Sequence, residues 1–321
     1  MPGLVVHGSG HFVAGDPQTA RRLLLLEGLG FGTLAVGFIP IVASGASRRL
    51  VGPAAALTIG GVGLFAITAL ADLYGVLAPP EGTGAPSRVL PALETALGYR
   101  YVYDPVFAYR DFVVYEVDGR YGHWRVRPSA WFALDSSNSR LRALFDYRFV
   151  GPTPERSSPA SDGSYVDLEI GFTRHAYLPD RFTTLTSELS VNARLDMQRI
   201  SPPLRGSFAE MGFGWALQNY RYQVKGASND VGELLLARFG YGIYIGWPGA
   251  ARGEIMVYYD HRHDDFAAGL KIPGLGSGVA GHFGLEGRAY VSDHWGVAAE
   301  AVAGSAYVTG VSILFRHGES L

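Results

Sequence analysis

The chain has 321 residues, including 43 glycines and no cysteine, and its 27 basic and 29 acidic side chains give a net charge of −2. This balance excludes a nucleic-acid-binding protein, which would carry a clustered excess of basic residues. The absence of cysteine excludes a disulfide scaffold and thiolate-bound zinc or iron-sulfur centres. The hydrophobic share of 48% excludes a disordered chain. A glycine content about twice the usual, together with many aromatic residues, indicates a membrane or all-β protein.

The N-terminal quarter of the sequence predicts an apolar helical hairpin. Residues 23–44 and 50–78 are almost wholly apolar, and each run is long enough to cross about 30 Å of hydrocarbon as a helix. Gly45 to Arg49 would join the two helices. The domain boundaries that follow are a leader over residues 1–20, a hairpin over 21–78, a linker over 79–91, a barrel over 92–316 and a tail over 317–321.

Small residues recur at every fourth position of both apolar runs, at Gly28 and Gly32 and at Gly52, Ala56 and Gly60. This spacing places them on one helix face, and it predicts close approach of the two backbones there.

The few charged residues of the hairpin are predicted to neutralise one another. In antiparallel helices, the start of the first lies beside the end of the second, which would bring Arg21, Arg22 and Glu27 close to Asp72. Charges inside a membrane usually find partners in this way.

Three other interpretations of this region remain open. Arg21 and Arg22 precede an apolar core, as in a secretory signal, with a cleavage pattern ending at Ala46. Alternatively, a signal has already been removed upstream of Met1. The third interpretation, a helix pair buried in a soluble protein, is disfavoured because neither helix has a polar face.

Beyond the Pro- and Gly-rich linker, apolar and polar residues alternate to the C-terminus, which predicts β-strands. Eleven clusters of turn-forming residues, among them Asp118-Gly119 and Gly151 to Gly163, divide the region into twelve strands. We therefore predict a mainly β fold, an antiparallel transmembrane β-barrel of about twelve strands preceded by the α-helical hairpin. If both barrel ends are periplasmic, Gly151 to Gly163 lies on the periplasmic side, where long connections are unusual.

The two faces of these strands differ in composition. Alternation alone fits a soluble sandwich as well as a membrane barrel. Aromatic clusters at strand ends, such as Tyr99 to Tyr103 and Tyr220 to Tyr222, favour the membrane barrel because interfacial girdles require them. The charged face would then line the lumen, with candidates Arg100, Arg125, Arg127, Arg142, Glu169, Glu188, Arg194, Glu210, Asp260, Arg262, Glu286, Arg288 and Glu300. The apolar face would contact lipid, with candidates Phe172, Phe213, Trp215, Phe239, Tyr241, Ile243, Ile313 and Phe315.

The last predicted strand, Tyr307 to Phe315, resembles the closing strand of Gram-negative outer-membrane β-barrel proteins. Gly310 is followed by the apolar Ile313 and, five positions on, by the aromatic Phe315. The resemblance implies an outer-membrane location and an assembly signal formed by these three residues, which the barrel-assembly machinery reads. It implies no particular activity.

Candidate chemical groups are few. His261 and His263 lie on one strand face and could share a metal, although ordinary salt bridges near the strand end explain the cluster more simply. A serine, histidine and acid could be drawn from His282, Ser292, Asp293 and Ser305, but no spacing fixes their geometry. We predict no catalytic residue, metal or cofactor.

The sequence thus predicts an integral outer-membrane barrel of a Gram-negative bacterium that is either a narrow solute channel or a structural barrel. Its partners would be the lipid bilayer, the barrel-assembly machinery and a small solute, with no nucleic acid. An alternative is an inner-membrane protein anchored by the hairpin, with a periplasmic all-β interaction domain. A barrel enzyme acting on lipid is a third, minor hypothesis.

Overall fold

The structure is a computed structural model that describes residues 6–45, 47–87, 90–105, 109–154, 162–177, 181–224, 229–246, 252–263, 266–273 and 279–317. The helices are α1 (Ser9–Val13), α2 (Pro17–Ala43) and α3 (Arg48–Leu77). The strands are β1 (Leu93–Tyr103), β2 (Asp111–Tyr121), β3 (Trp124–Ala133), β4 (Ser139–Val150), β5 (Tyr165–Tyr177), β6 (Phe182–Asp196), β7 (Ser207–Tyr222), β8 (Asp230–Ile245), β9 (Arg252–Asp260), β10 (His282–Tyr290), β11 (Trp295–Ala303) and β12 (Tyr307–His317).

The twelve strands form one closed antiparallel barrel. Each strand pairs with its neighbours along the chain, and β12 pairs with β1 over eleven residue pairs, from Leu93 opposite His317 to Tyr103 opposite Tyr307. Closure leaves no strand edge without hydrogen bonds, as a lipid environment requires. The predicted fold class is confirmed, including the number of strands. We call the end where β1 begins the near end, and the opposite end the far end.

One predicted strand break is wrong. β2 continues through Asp118 and Gly119, and the chain reverses instead at Gly122, whose φ of 55° suits glycine. Asp118 does not end the strand because its carboxylate points into the barrel, where Arg125 donates to it at 2.9 and 2.6 Å. The connection that includes Gly151 to Gly163 does lie at the near end, together with both barrel termini.

The two long helices pack against each other as predicted, but through other glycines. A Cβ on Gly61 would lie 2.4 Å from the Leu34 amide nitrogen, and one on Gly37 would lie 2.5 Å from the Thr58 amide nitrogen. Gly28, Gly32 and Gly52 face open space. The predicted contact face is therefore wrong, because a spacing of four identifies a face but not which face meets the partner helix.

Gly61→Leu is expected to destabilise the helix pair by about 1 to 3 kcal/mol, because the backbone of α2 must move to admit the new side chain. The denaturant midpoint for loss of hairpin helicity, measured in vesicles by circular dichroism, checks this. Gly28→Leu is the matched control, since nothing lies within 4 Å of its Cβ position. An equal loss of stability in both variants would contradict the close contact of the two helices at Gly61.

The predicted pairing of arginines with Asp72 is also wrong, because the acids of the hairpin bind the leader. The Asp72 carboxylate, 1% exposed, lies 2.6 Å from Nδ1 of His11 and accepts from the Gly10 and His11 amides. Glu27 accepts from the His7 amide at 3.1 Å. The leader therefore covers both acids, and burial lowers the pKa of His7 despite these neighbouring carboxylates.

The hairpin lies against the outside of the barrel over β7 and β8. Leu23, Ile67 and Ala71 form a buried cluster with Phe239 and Tyr241 of the barrel. Polar contacts fix its near end: the Tyr74 hydroxyl donates to the Arg205 carbonyl at 2.7 Å, and the Thr19 and Ser201 hydroxyls lie 2.5 Å apart. Other apolar side chains of α2 remain exposed, among them Leu25 and Ile39. Both long helices have the length and composition to cross a membrane.

Candidate functional site

The outer wall of the barrel is apolar. Strand alternation turns Phe172, Trp215 and Ile313 outward, and each exposes more than half of its side chain. Phe315 also points outward and packs against Trp295, with ring centroids 4.6 Å apart. A soluble domain would bury this surface, whereas a barrel in a bilayer turns it to lipid.

Four of the predicted lipid-facing residues lie where the hairpin covers the wall. Phe213, Phe239, Tyr241 and Ile243 all point outward, and Phe239 and Tyr241 are less than a tenth exposed. A Cβ on Gly63 of α3 would lie 2.7 Å from the Phe239 ring. The prediction that Phe239 and Tyr241 contact lipid is therefore wrong, because α3 takes the place of lipid there.

Aromatic side chains surround both ends of the wall. Near-end members are Tyr121, Trp124, Tyr147, Trp295 and Phe315, and far-end members are Tyr103, Phe132 and Tyr307. Such rings mark the two membrane interfaces of a spanning barrel.

The barrel interior is charged. All the predicted lumen-facing residues except Glu188 line one cavity of about 530 Å³: Arg100, Arg125, Arg127, Arg142, Glu169, Arg194, Glu210, Asp260, Arg262, Glu286, Arg288 and Glu300. Glu188 points the same way but is only 4% exposed, because arginines surround its carboxylate. Apart from a register irregularity between Arg148 and Val150 at the end of β4, the described strands keep one parity, so the alternation seen in the sequence produces this separation of polar inside from apolar outside.

Ion pairs cross-link the cavity walls. Arg142 donates to Glu188 at 2.9 Å, and Arg262, from the connection after β9, donates to the same carboxylate at 2.5 and 3.2 Å. Arg194 of β6 links Glu210 of β7 at 2.6 Å with Glu254 of β9 at 2.7 Å. The Arg194–Glu210 pair joins register partners on neighbouring strands and follows the wall, whereas the Arg142–Glu188 and Arg194–Glu254 contacts join strands that are not neighbours and narrow the lumen.

Further pairs extend the network. Arg127 donates to Asp146 at 2.9 and 3.0 Å and also to Glu169. Arg100 pairs with Glu300 and, at 3.3 Å, with Glu116. The more water-exposed charges, including Glu116, mark the open centre of the cavity.

Sequence reasoning missed several acids of this network, among them Glu94, Glu116, Asp118, Asp146, Asp167 and Glu254. Parity could have identified four of them. Each lies an even number of residues from a recognised inward-facing residue on the same strand: Glu94 from Arg100, Asp146 from Arg142, Asp167 from Glu169 and Glu254 from Asp260.

An aromatic cluster narrows the far end of the lumen. Phe266, from the connection between β9 and β10, is 6% exposed and packs against Phe112 and Trp131, with ring centroids 5.2 and 6.0 Å away. The Ala267 carbonyl accepts from the Ser305 amide at 2.7 Å. The part of the connection that contains Phe266 and Ala267 is therefore folded into the barrel mouth and held by backbone hydrogen bonding. We call Phe266 and its aromatic neighbours the far plug.

The linker narrows the near end. Thr83 donates through its hydroxyl to the Tyr244 carbonyl at 2.7 Å, and its own carbonyl accepts from the Gly246 amide at 3.1 Å. From there Pro86 and Pro91 continue along the cavity. The segment that joins hairpin to barrel thus also bounds the lumen.

The histidines considered for metal binding and the residues considered for a catalytic triad are not arranged for either chemistry in the described part of the chain. His261 and His263 have ring centroids 4.8 Å apart, and burial together with His263 lowers the pKa of His261 to about 4. No group of three or more possible metal ligands occurs within the described ranges, which do not include the neighbouring Asp264 and Asp265. β10 separates His282 at the far end from Ser292 and Asp293 at the near end, so the candidate histidine and the candidate acid cannot share a triad.

The candidate assembly residues lie on the strand that closes the barrel. Gly310 points inward, where a Cβ would lie 3.0 Å from Cγ of Arg100 and 3.3 Å from Cγ of Glu300. Ile313 and Phe315 point outward. A Cβ at this position would press against the Arg100–Glu300 ion pair, and glycine leaves room for that pair.

A closed barrel with an apolar wall, aromatic rings at both ends and a charged interior has the architecture of outer-membrane β-barrel proteins. The resemblance seen in the last strand is confirmed at that level. No protein-family model matches the chain, and no curated protein matches its sequence.

Solved structures similar to the chain are bacterial membrane barrels. One is the translocator domain of the autotransporter NalP from Neisseria meningitidis, which is 10% identical, with 70% of this chain and 88% of that chain covered and a TM-score of 0.43. Another is the KdgM porin in complex with disordered oligogalacturonate, which is 6% identical, with 70% of this chain and 99% of that chain covered and a TM-score of 0.40. A third is the outer-membrane protein Omp33 of Acinetobacter baumannii, which is 10% identical, with 72% of this chain and 100% of that chain covered and a TM-score of 0.36. At these identities the likeness concerns the fold alone.

Proposed function

We propose that the protein is an integral barrel of a Gram-negative outer membrane and that its lumen is a narrow, gated passage for small polar solutes. The observation that carries this proposal is the cavity of about 530 Å³, which is lined by charged side chains and narrowed at each end by chain that does not belong to the barrel wall. A purely structural barrel has no need for a polar cavity, and burying many charges is costly.

Location and assembly follow from the wall. The apolar outer surface supports insertion in a bilayer, and Gly310, Ile313 and Phe315 on the closing strand support recognition by the barrel-assembly machinery. The same apolar wall disfavours the alternative, an inner-membrane anchor with a periplasmic β domain, because a water-soluble domain would expose it. The residues that line the lumen would select the solute by charge and size.

Phe266→Ala is expected to open the passage. Removing a buried phenylalanine costs about 3 kcal/mol of packing, which corresponds to roughly a hundredfold shift of the equilibrium toward the open state. Single-channel recordings in planar bilayers should show rare, brief openings for the unmodified protein and long openings for the variant.

Phe283→Ala is the matched control, because Phe283 lies on the adjoining strand β10, points outward and is 54% exposed. Its openings should match those of the unmodified protein. If Phe266→Ala conducts no better than the control, the channel proposal fails and the structural role is favoured.

A further inference from the structure

Charged residues are almost absent from the outer wall. Among the outward positions of the twelve strands, only Asp111, Arg174, Arg221 and Glu233 are charged, and all four lie toward the far end. An arginine facing lipid costs about 2 to 4 kcal/mol at the bilayer midplane and about 0 to 1 kcal/mol at the interface. The two arginines therefore lie where the far membrane interface begins.

Three arginines share one sector of this interface. Arg174 of β5 lies opposite Leu185 of β6, and Arg221 of β7 lies opposite Thr183 of the same strand. Arg181, just before β6, accepts through its carbonyl from the Gln223 amide at 2.8 Å. All three side chains are exposed and, within the described residues, no carboxylate pairs with them, in contrast to the paired arginines of the lumen.

An apolar groove lies in the wall beside these arginines. It has a volume of about 590 Å³, and Arg174 is part of its lining. Ala130, Ala143 and Ser187 form its floor, because small outward residues on neighbouring strands leave a depression between Phe172 and other large side chains. Apolar atoms make up nearly all of the groove surface, which suits a hydrocarbon chain.

We propose that this groove and the three arginines bind a diphosphorylated glycolipid of the outer leaflet, with an acyl chain in the groove and the phosphates on Arg174, Arg181 and Arg221. The proposal rests on the outer-membrane location given under Proposed function, with both barrel termini on the periplasmic side, so that the far end lies at the outer leaflet. Guanidinium groups bind phosphate oxygens in pairs, and their long stems reach the head-group level. Three positive charges that have no carboxylate partner in the described part of the chain match two phosphates better than the single phosphate of a glycerophospholipid.

The test measures lipid retention by native mass spectrometry of the full-length protein in detergent. The probes are diphosphoryl lipid A, monophosphoryl lipid A and phosphatidylglycerol. The unmodified protein should retain diphosphoryl lipid A best. The triple variant Arg174→Gln, Arg181→Gln, Arg221→Gln should retain it about tenfold less, because charge-assisted hydrogen bonds are lost.

Two further variants separate the contributions. Arg21→Gln, on the exposed surface of α2 at the other end of the molecule, is the control for removing an arginine away from the groove and should behave as the unmodified protein. Ala143→Trp fills the groove without changing charge and should also reduce retention. Equal retention by the triple variant and the control, or equal retention of phosphatidylglycerol and diphosphoryl lipid A, would overturn the proposal.

Each sample is also run unboiled on an SDS gel to show that the barrel is folded. A folded barrel that retains no glycolipid overturns this inference alone. A protein that forms no barrel at all contradicts the proposed function instead.

Discussion

Ile170→Arg is expected to lower the free energy of unfolding from a bilayer by about 2 to 4 kcal/mol. Ile170 lies near the middle of β5, points outward and exposes 42% of its side chain. An arginine at this position would bring a charge into the hydrocarbon core, where neither water nor a carboxylate compensates for it. Denaturant unfolding in lipid vesicles, followed by tryptophan fluorescence, measures the change.

The matched control is Val166→Arg on the same face of the same strand, close to the near end. There the guanidinium reaches the head-group region, and the expected cost is about 0 to 1 kcal/mol. A cost of arginine substitution that rises toward the middle of the strand is the signature of a membrane. Equal and small effects at both positions would indicate that this face of the strand meets water.

Glu188→Ala is expected to destabilise the barrel by about 3 to 5 kcal/mol. The carboxylate is nearly fully buried and binds Arg142 and Arg262, so its loss leaves buried guanidinium charges uncompensated. It also releases Arg262 and with it the connection that carries the far plug. The change is measured from denaturant unfolding in vesicles, with channel openings recorded in parallel.

Glu116→Ala provides the comparison for this experiment, because the Glu116 side chain is 41% exposed and pairs with Arg100 at 3.3 Å. A solvated pair of this kind contributes about 0 to 1 kcal/mol. If the two variants lose the same stability, Glu188 is not the buried junction that its contacts indicate.

Much of the barrel was predictable because the periodicity of a strand is local. The alternation around Phe172 and Glu169 in β5, for example, already assigns one side chain to the wall and the other to the lumen. The strand count depended on turn-forming residues and was correct even though one break was misplaced. Asp118-Gly119 has the composition of a turn, and only the neighbouring arginines Arg120 and Arg125 on the inner wall explain why the strand continues.

Contacts between distant segments were not predictable. His7 and His11 lie in a leader without any periodic pattern, and their partners Glu27 and Asp72 come from two different helices. The cover of α3 over Phe239 likewise depends on where the hairpin docks. For Phe239 the local sequence specifies an outward face, and in both cases only the tertiary fold determines which residue makes the contact.

The far plug was not predictable from the sequence for the same reason. Phe266 lies in a long connection with no strand pattern, and nothing in its neighbourhood indicates that it turns back into the barrel mouth. The glycolipid groove depends on small residues from several strands, which become neighbours only in the closed barrel.

The central claim is a closed barrel in an outer membrane, and heat-modifiability tests it most directly. Detergent-extracted protein is run on an SDS gel with and without boiling, beside sucrose-gradient fractions of the two membranes. A closed barrel keeps its backbone hydrogen bonds in cold SDS. We expect a shift in mobility that depends on boiling, with the protein in the outer-membrane fractions. Unchanged mobility, with the protein in the inner-membrane fractions, would contradict the barrel and favour a hairpin-anchored periplasmic domain.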